Sequence, residues 1–412
     1  MTRFSGRPHG SVTAIPSKSA AHRYMICAAL AQGRSVIRGL PEEAALPDDL
    51  TATLSCIRAL GAAAVFRDDT LEITGINAKP DVLRLDCRDS GATYRLLYPV
   101  APLIGGRAEF MLSPSLAARP MEPVTELLKS KGVAAEKLSV SGSFGPGEFP
   151  IRGDVSSQYI SGLLLALSLL EGESRIRLTT PLQSKSYVEL TRASLSAFGG
   201  ESQWMGRDTI LVKPRRLKAA DVTVEGDYTH ASLFLAAGAV YGPVTVTGLD
   251  PGSIQGDRAM LSILDRMGAR VDMGGGSVTV SPGRLRGIDV DVSDTPDLAP
   301  AIALAALAAE GSTVVKNGGR LRFKECDRIS AITTELKRLG ADIDEAPDGF
   351  TIRGGGKLHG AACLCHNDHR IAMLLIMAAG LCGGIELNGA ECVSKSAPGF
   401  FDEYRQLGGS IS

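Results

Sequence analysis

At 412 residues the chain exceeds what one hydrophobic core usually organises, so two domains and a sizeable buried core are expected. A formal net charge of -1 and a pI near 6.6 exclude the global basic field of a nucleic-acid or membrane-surface binder, so an anionic ligand must be met by local cation clusters. The eight cysteines lack a paired framework spacing, the opening MTRFSGRPHGSV lacks the layout of a secretory signal, and no stretch has about eighteen consecutive apolar residues, which together point to the reducing cytoplasm.

Taken in chain order, one pattern recurs. From Ser17, SKSAAHRYMICAALAQG has a polar start, an apolar body and a closing glycine, the signature of a buried helix. SVIRGL and DTLEITG read as strands around TATLSCIRALG, an amphipathic helix ending at Gly61. The pattern restarts at Arg88 with RDSGATYRLLYPVAPLIGG, expected as one buried helix, followed by the strand RAEFML and the helix EPVTELLKSKG ending at Gly132. GSFGPG, from Gly142, has glycines but no following helix and reads as a turn. The third copy starts at Ser156 with SSQYISGLLLALSLLEG and continues through SRIRLTT, VELTRASLSAFGG to Gly199, and DTILVKP. The fourth runs from YTHASLFLAAGAVYG at Tyr228 through GPVTVTG and DRAMLSILDRMG, ending at Gly268, to SVTVSP. The fifth comprises DTPDLAPAIALAALAAEG from Asp294, GSTVVKN and ISAITTELKRLG ending at Gly340; the sixth comprises NDHRIAMLLIMAAGLCGG from Asn367 and GFFDEYRQLG ending at Gly408.

The terminal glycines of the amphipathic helices recur about every seventy residues, so the chain reads as six α/β units, three to a domain. A doubly wound nucleotide-binding sheet is disfavoured, because no strand leads through GxGxxG or GxxxxGK[ST] into a helix. Several buried helices open on cations or hydroxyls: Lys18 and Arg23, Ser156 with Ser157 and Gln158, and His369 with Arg370. A helix start offers unpaired N–H groups and partial positive charge, so one such start is an ordinary cap, whereas their recurrence suggests a site for a small polyanion.

The segments IPSKSAAHR, GDVSSQYISGLLLAL, SKSYVEL, VEGDYTHASLFLAAG, QGD, PDLAP, RFKECDRI, NDHRIAM and VSKSAPGFF resemble, in order, the motifs of the 5-enolpyruvylshikimate-3-phosphate synthase family of enolpyruvyl transferases, from about residue 10 to 402. The resemblance implies an inside-out α/β barrel in each of two domains, built from three βαβαββ repeats with pseudo-threefold symmetry. One domain is expected over 15–226 and the other over 1–14 plus 227–412, with crossings near Pro16 and Glu225–Asp227 and the active site in the interdomain cleft. It further implies phosphoenolpyruvate and shikimate 3-phosphate as small-molecule substrates, no cofactor or metal, no nucleic-acid or membrane partner, and a monomer.

By the same resemblance, Ser156, Ser157, Ser184 and Lys324 serve the shikimate 3-phosphate phosphate, Ser19 and Arg23 its carboxylate, and Asp297 its ring hydroxyls. Tyr187 packs beside that substrate, and Gln158 reaches between the two ligands. Lys18, Arg119, Arg328, Arg370 and Lys395 meet phosphoenolpyruvate, with the Gly91 backbone close by and His369 supporting Arg370. Lys18, Asp297 and Glu325 form the catalytic set: Asp297 lies beside the attacking hydroxyl and Glu325 beside the methylene, with the division of proton steps left open.

Asp89, Ala92 and Leu96 depart from the family stretch NAGTAMRP or NSGTT, and an acidic Asp89 would repel phosphoenolpyruvate unless a cation compensates. Arg320 stands where asparagine is frequent. The cluster CLCHNDH fits no standard zinc spacing, and Cys326 lacks a histidine base at a recognised spacing. Three competing readings are weaker. The sister transferase acting on UDP-N-acetylglucosamine would carry asparagine after Lys18 and a cysteine before Arg119. A non-catalytic anion-binding protein would not need the intact Lys18, Asp297, Glu325 and Lys395, and an RNA-processing enzyme would need a basic surface.

Overall fold

The computed structural model describes residues 1–67, 70–77 and 80–412. The chain forms two compact units, Lys18–Val224 and Met1–Ser17 with Glu225–Ser412. The first contains helices α1 (Lys18–Leu30), α2 (Asp48–Ala59), α3 (Gly91–Leu97), α4 (Ala101–Ile104), α5 (Pro114–Ala118), α6 (Glu122–Ser130), α7 (Ser157–Leu167) and α8 (Lys185–Ala197). The second contains α9 (Tyr228–Val240), α10 (Ala259–Met267), α11 (Ala299–Ala308), α12 (Arg328–Arg338), α13 (His369–Cys382) and α14 (Phe400–Gln406).

Each unit carries three four-stranded sheets with one common pattern. Val82–Arg88 pairs in parallel with Arg107–Leu112, which pairs antiparallel with Ser139–Ser141, itself antiparallel to Ala134–Glu136. The parallel step needs a crossover, and α3 lies on it. Some sheets borrow distant chain. Asp221–Thr223 joins Arg34–Arg38 in parallel, Gly10–Thr13 joins Val244–Thr247 in parallel, and Thr2–Ser5 lies antiparallel to Ile385–Asn388. The last two pairings explain why the N-terminal segment belongs to the unit formed by the second half of the chain.

The layering follows from hydrophobic pattern. In α9, twelve of thirteen residues are buried, and α7, α11 and α13 are nearly as enclosed, so these helices, apolar on all sides, form the interior of each unit. The strands alternate instead. In Val82–Arg88, Leu83, Leu85 and Cys87 face inward while Val82, Arg84 and Arg88 face water, so the sheets wrap the helices. This is the inside-out arrangement expected from the sequence. All six terminal glycines of the repeat adopt left-handed φ between +80° and +102°, so the period reports a backbone requirement as well as a composition.

One expectation about helices needs correction. The segment from Arg88, expected as one helix, breaks after Leu97 and resumes at Ala101. Pro99 cannot donate a backbone bond, and α7 passes the break so closely that a Cβ on Gly162 would lie 2.5 Å from the Arg95 carbonyl oxygen. The segment from Asp294, expected as a buried helix with a polar residue near its start, does contain one. A 3-10 turn, Pro296–Leu298, intervenes and carries Asp297 ahead of α11.

Candidate active site

In Lys18–Val224, polar groups gather at helix starts. Lys18, the first residue of α1, sets its Nζ 2.6 Å from Asp49 Oδ2 at the start of α2. One turn later Arg23, 3% exposed, donates from Nε to Thr191 Oγ1 at 2.7 Å, from Nη1 to the Ser19 carbonyl at 2.6 Å and from Nη2 to the Tyr187 carbonyl at 3.1 Å. These bonds tie α1 to α8 and hold Ser19, Arg23 and Tyr187 together. Burial pushes the Arg23 guanidinium down to about 10, which still leaves it charged at neutral pH. His22 is also buried and bonds through Nδ1 to Thr53 Oγ1 at 2.7 Å. Burial, with Lys18 and Arg23 adding repulsion, holds its pKa well below the usual histidine range, so His22 is neutral.

A second group surrounds the start of α3. Ser90 caps the helix by accepting from the Thr93 N–H, which leaves Gly91 as the first helical residue. A Cβ at Gly91 would lie 3.0 Å from Arg95 Nη1 and 3.3 Å from Arg119 Nη1, so two guanidinium groups converge on this bare backbone. Arg95 Nη1 donates to Gln158 Oε1 at 2.9 Å, joining α3 to α7. Ser156 caps α7 through the Gln158 N–H; Ser157 and Ser184 are buried, and Ser184 has a left-handed φ of +53° at the start of α8. Asp89 faces Arg119 at 3.8 Å and accepts from Ser113 Oγ at 2.6 Å. The acid that departs from the family stretch therefore has a neighbouring cation.

In the other unit the centre is Asp297. Its carboxylate meets Arg328 Nη1 at 2.8 Å, Lys324 Nζ at 3.2 Å and Arg370 Nη2 at 3.4 Å. Burial opposes the charge, but Arg370, Lys324 and Arg328 outweigh it and hold this carboxyl well below the ordinary aspartate range. Arg328, the first residue of α12, also binds Glu325 Oε2 at 2.5 Å and, through Nε, Asp368 Oδ2 at 2.7 Å. Burial pulls its pKa down, but Asp368, Glu325 and Asp297 outweigh burial and hold the guanidinium well above its ordinary value. Asp368 caps α13 by accepting from the Arg370 N–H at 2.9 Å, His369 is buried beside it, and Lys395 donates to the Asn367 carbonyl at 3.0 Å. Asp257, which accepts from the Thr229 hydroxyl, is pushed up to about 6 by burial and by Asp297.

The profile of the EPSP synthase (3-phosphoshikimate 1-carboxyvinyltransferase) family matches residues 3–404. The chain belongs to the EPSP synthase family. It is 38% identical over 424 residues to 3-phosphoshikimate 1-carboxyvinyltransferase of Clostridium botulinum (strain Eklund 17B / Type B), covering 99% of this chain and 97% of that one. With the enzyme of the same name from Clostridioides difficile (strain 630) the identity is 37% over 428 residues, with the same coverage. Among solved structures it is similar to EPSP synthase from Acinetobacter baumannii, with a TM-score of 0.80 and 27% identity over 100% of this chain and 99% of that chain. The enolpyruvyl transferase NikO from Streptomyces tendae shares the fold, with a TM-score of 0.79 at 21% identity over 100% and 98% of the two chains.

Within this EPSP synthase family member, the residues singled out by motif fall into two clusters. Lys18, Ser19, Arg23, Gly91, Arg119, Ser156, Ser157, Gln158, Ser184 and Tyr187 lie on Lys18–Val224, and Asp297, Lys324, Glu325, Arg328, His369, Arg370 and Lys395 lie on the other unit. Sequence reasoning missed Arg95, Asp49 and Asp368. Arg95 stands four residues after Gly91, one helical turn on, and that spacing is the signal that could have found it. Asp49 and Asp368 are carboxylates whose value comes from the cations they hold. Arg320 donates to the Ser293 carbonyl at 2.8 Å. In the CLCHNDH cluster, the Cys365 thiol donates to the Gly389 carbonyl and His366 Nε2 bonds Glu335. No helix among the described residues is long and apolar enough to cross a membrane.

Proposed function

We propose that the chain is a 3-phosphoshikimate 1-carboxyvinyltransferase that transfers the enolpyruvyl group of phosphoenolpyruvate to the 5-hydroxyl of shikimate 3-phosphate. The observation that carries the reading is the grouping of Lys324, Arg328 and Arg370 on Asp297, with Glu325 on the same arginine. Both substrates carry a phosphate and a carboxylate, so the reaction needs cations set in place before binding, together with carboxylates for proton transfer.

The chemistry runs by addition and elimination. The 5-hydroxyl oxygen attacks C2 of phosphoenolpyruvate, the hydroxyl proton leaves, and C3 gains a proton. The C2–O bond to phosphate then breaks as C3 gives up a proton, so one enol ether and one phosphate form. In this reading Asp297 receives the hydroxyl's hydrogen bond, Glu325 serves C3, and Lys18 is the cationic proton-transfer partner. The depressed Asp297 carboxyl is a weak base while three cations surround it. Substrate anions that take up Arg370 and Lys324 would withdraw that stabilisation and raise its basicity when the hydroxyl arrives. A monomeric cytoplasmic enzyme, with its eight cysteines unbridged, is consistent with this reading.

The test mixes the purified chain with both substrates in the presence of a chelator and measures inorganic phosphate. Release is expected, and no release is expected when UDP-N-acetylglucosamine replaces shikimate 3-phosphate. Release with the sugar nucleotide alone transfers the assignment to the sister reaction, and silence with both acceptors leaves an anion-binding protein. Glu325→Gln is expected to bind both substrates and to slow turnover by roughly a hundredfold or more.

A further inference from the structure

Three cations of the second cluster sit on three separate elements. Arg328 opens α12, Arg370 is the second residue of α13, and Lys395 ends the 3-10 turn Ala390–Lys395. One short loop touches all three residues, the side chains of Lys395 and Arg328 and the backbone of Arg370. The Asn367 carbonyl accepts from Lys395 Nζ at 3.0 Å, and Asp368 takes Arg328 Nε at 2.7 Å, Arg328 Nη2 at 3.3 Å and the Arg370 N–H at 2.9 Å.

The backbone of this loop is unusual. His366 and Asn367 have φ of +54° and +55°, two successive non-glycine residues in the left-handed region. That conformation is strained for L side chains and persists only where the surroundings over-determine it. The anchor is Glu335, whose side chain is 0% exposed. Its Oε1 receives the His366 ring at Nε2 at 2.9 Å, its Oε2 receives the Leu364 N–H at 3.1 Å, and Arg338 Nε lies 3.7 Å away. Glu335 follows Arg328 by seven residues on α12, two turns along the same face. One helix therefore carries the arginine and, on the same side, the carboxylate that holds the loop clamping that arginine.

We propose that Glu335 and His366 are positioning residues for phosphoenolpyruvate, acting through the 366–368 elbow to set Arg328, Arg370 and Lys395; this rests on the proposed function. Neither residue is among the candidate ligand contacts. Releasing the His366 ring lets the elbow relax, which carries the Asn367 carbonyl away from Lys395 and Asp368 away from Arg328. A displacement of about 1 Å at such groups costs up to roughly a hundredfold.

The test compares His366→Gly, which tolerates the left-handed backbone but removes the ring, with His366→Gln, whose side-chain amide can reach Glu335 as Nε2 does. Steady-state kinetics should show the KM for phosphoenolpyruvate rising roughly tenfold to a hundredfold in His366→Gly, with the KM for shikimate 3-phosphate changed less than about threefold. His366→Gln should recover most of the loss. Hydrogen exchange at the Arg370 amide, which Asp368 protects, should quicken at least tenfold in His366→Gly. A phosphoenolpyruvate KM within twofold of wild type overturns the proposal, as does an equal rise for both substrates or unchanged exchange at Arg370. If the wild-type chain releases no phosphate, the functional reading fails by itself, and the exchange rates still decide whether the pair holds the elbow.

Discussion

Arg328→Met replaces a guanidinium that is 1% exposed by a side chain of similar length without charge. Three carboxylates lose a partner, unequally. Asp297 and Glu325 keep 14% and 20% exposure, and Asp297 retains Lys324 and Arg370. Asp368 is 0% exposed and keeps the Arg370 N–H at 2.9 Å and the Cys326 thiol at 3.6 Å, neither of which balances a full charge. Removing one partner of a buried ion pair costs about 3–5 kcal/mol. The lower end applies here, because Asp368 still accepts from the Arg370 N–H and the Cys326 thiol. For a unit of this size about 3 kcal/mol lowers the melting temperature by roughly 6–12 °C. Scanning calorimetry in phosphate-free buffer measures the shift without a stabilising anion. The double variant Arg328→Met/Asp368→Asn removes the stranded charge and keeps a cap acceptor, so it should regain more than half of the loss. A single variant melting within about 2 °C of wild type, or a double variant no better than the single, would refute the argument that Asp368 carries the cost.

Gly162→Ala tests the contact between α7 and the break after α3. In an exposed helix interior this change stabilises by about 1 kcal/mol, but here the new methyl would lie 2.5 Å from the Arg95 carbonyl oxygen, so a loss of about 1–3 kcal/mol in urea unfolding is expected; a gain would mean that the helices part freely. His22 provides a pH test. Its folded pKa is depressed, so its neutral burial costs nothing while the unfolded histidine is also neutral, and stability falls as pH drops below about 6.5 because only the unfolded chain then takes the proton. The slope from this group approaches about 1.4 kcal/mol per pH unit. His22→Asn, which can keep the bond to Thr53, should flatten the stability profile between about pH 6.5 and 5, and equal profiles would remove His22 as the source.

The six-fold repeat, the buried and amphipathic helices, the strands and their glycine stops were legible in the sequence. They depend on local rules: hydrophobic period, capping, and left-handed backbone at glycine. The candidate cations were legible for a different reason, since Lys18, Arg23, Arg328, Arg370 and Lys395 each lie inside a motif that resembles a known family. The break after Leu97 is not legible in the sequence, because a proline at position 99 tells where a bond is missing but not that α7 will pass close beside it.

The partners of those cations were decided by tertiary structure. Arg328 meets Asp368 forty residues on and Asp297 thirty-one residues back, and Glu335 meets His366 thirty-one residues on. No helical or strand period links positions so far apart. Their meeting is set by how α12, α13 and the turns between them pack, and that packing is fixed by the whole buried core of the unit. Local pattern thus determined which elements form and which charges they carry; burial then decided which charges must be paired, because a charge removed from water is tolerated only where another part of the chain brings its counterpart.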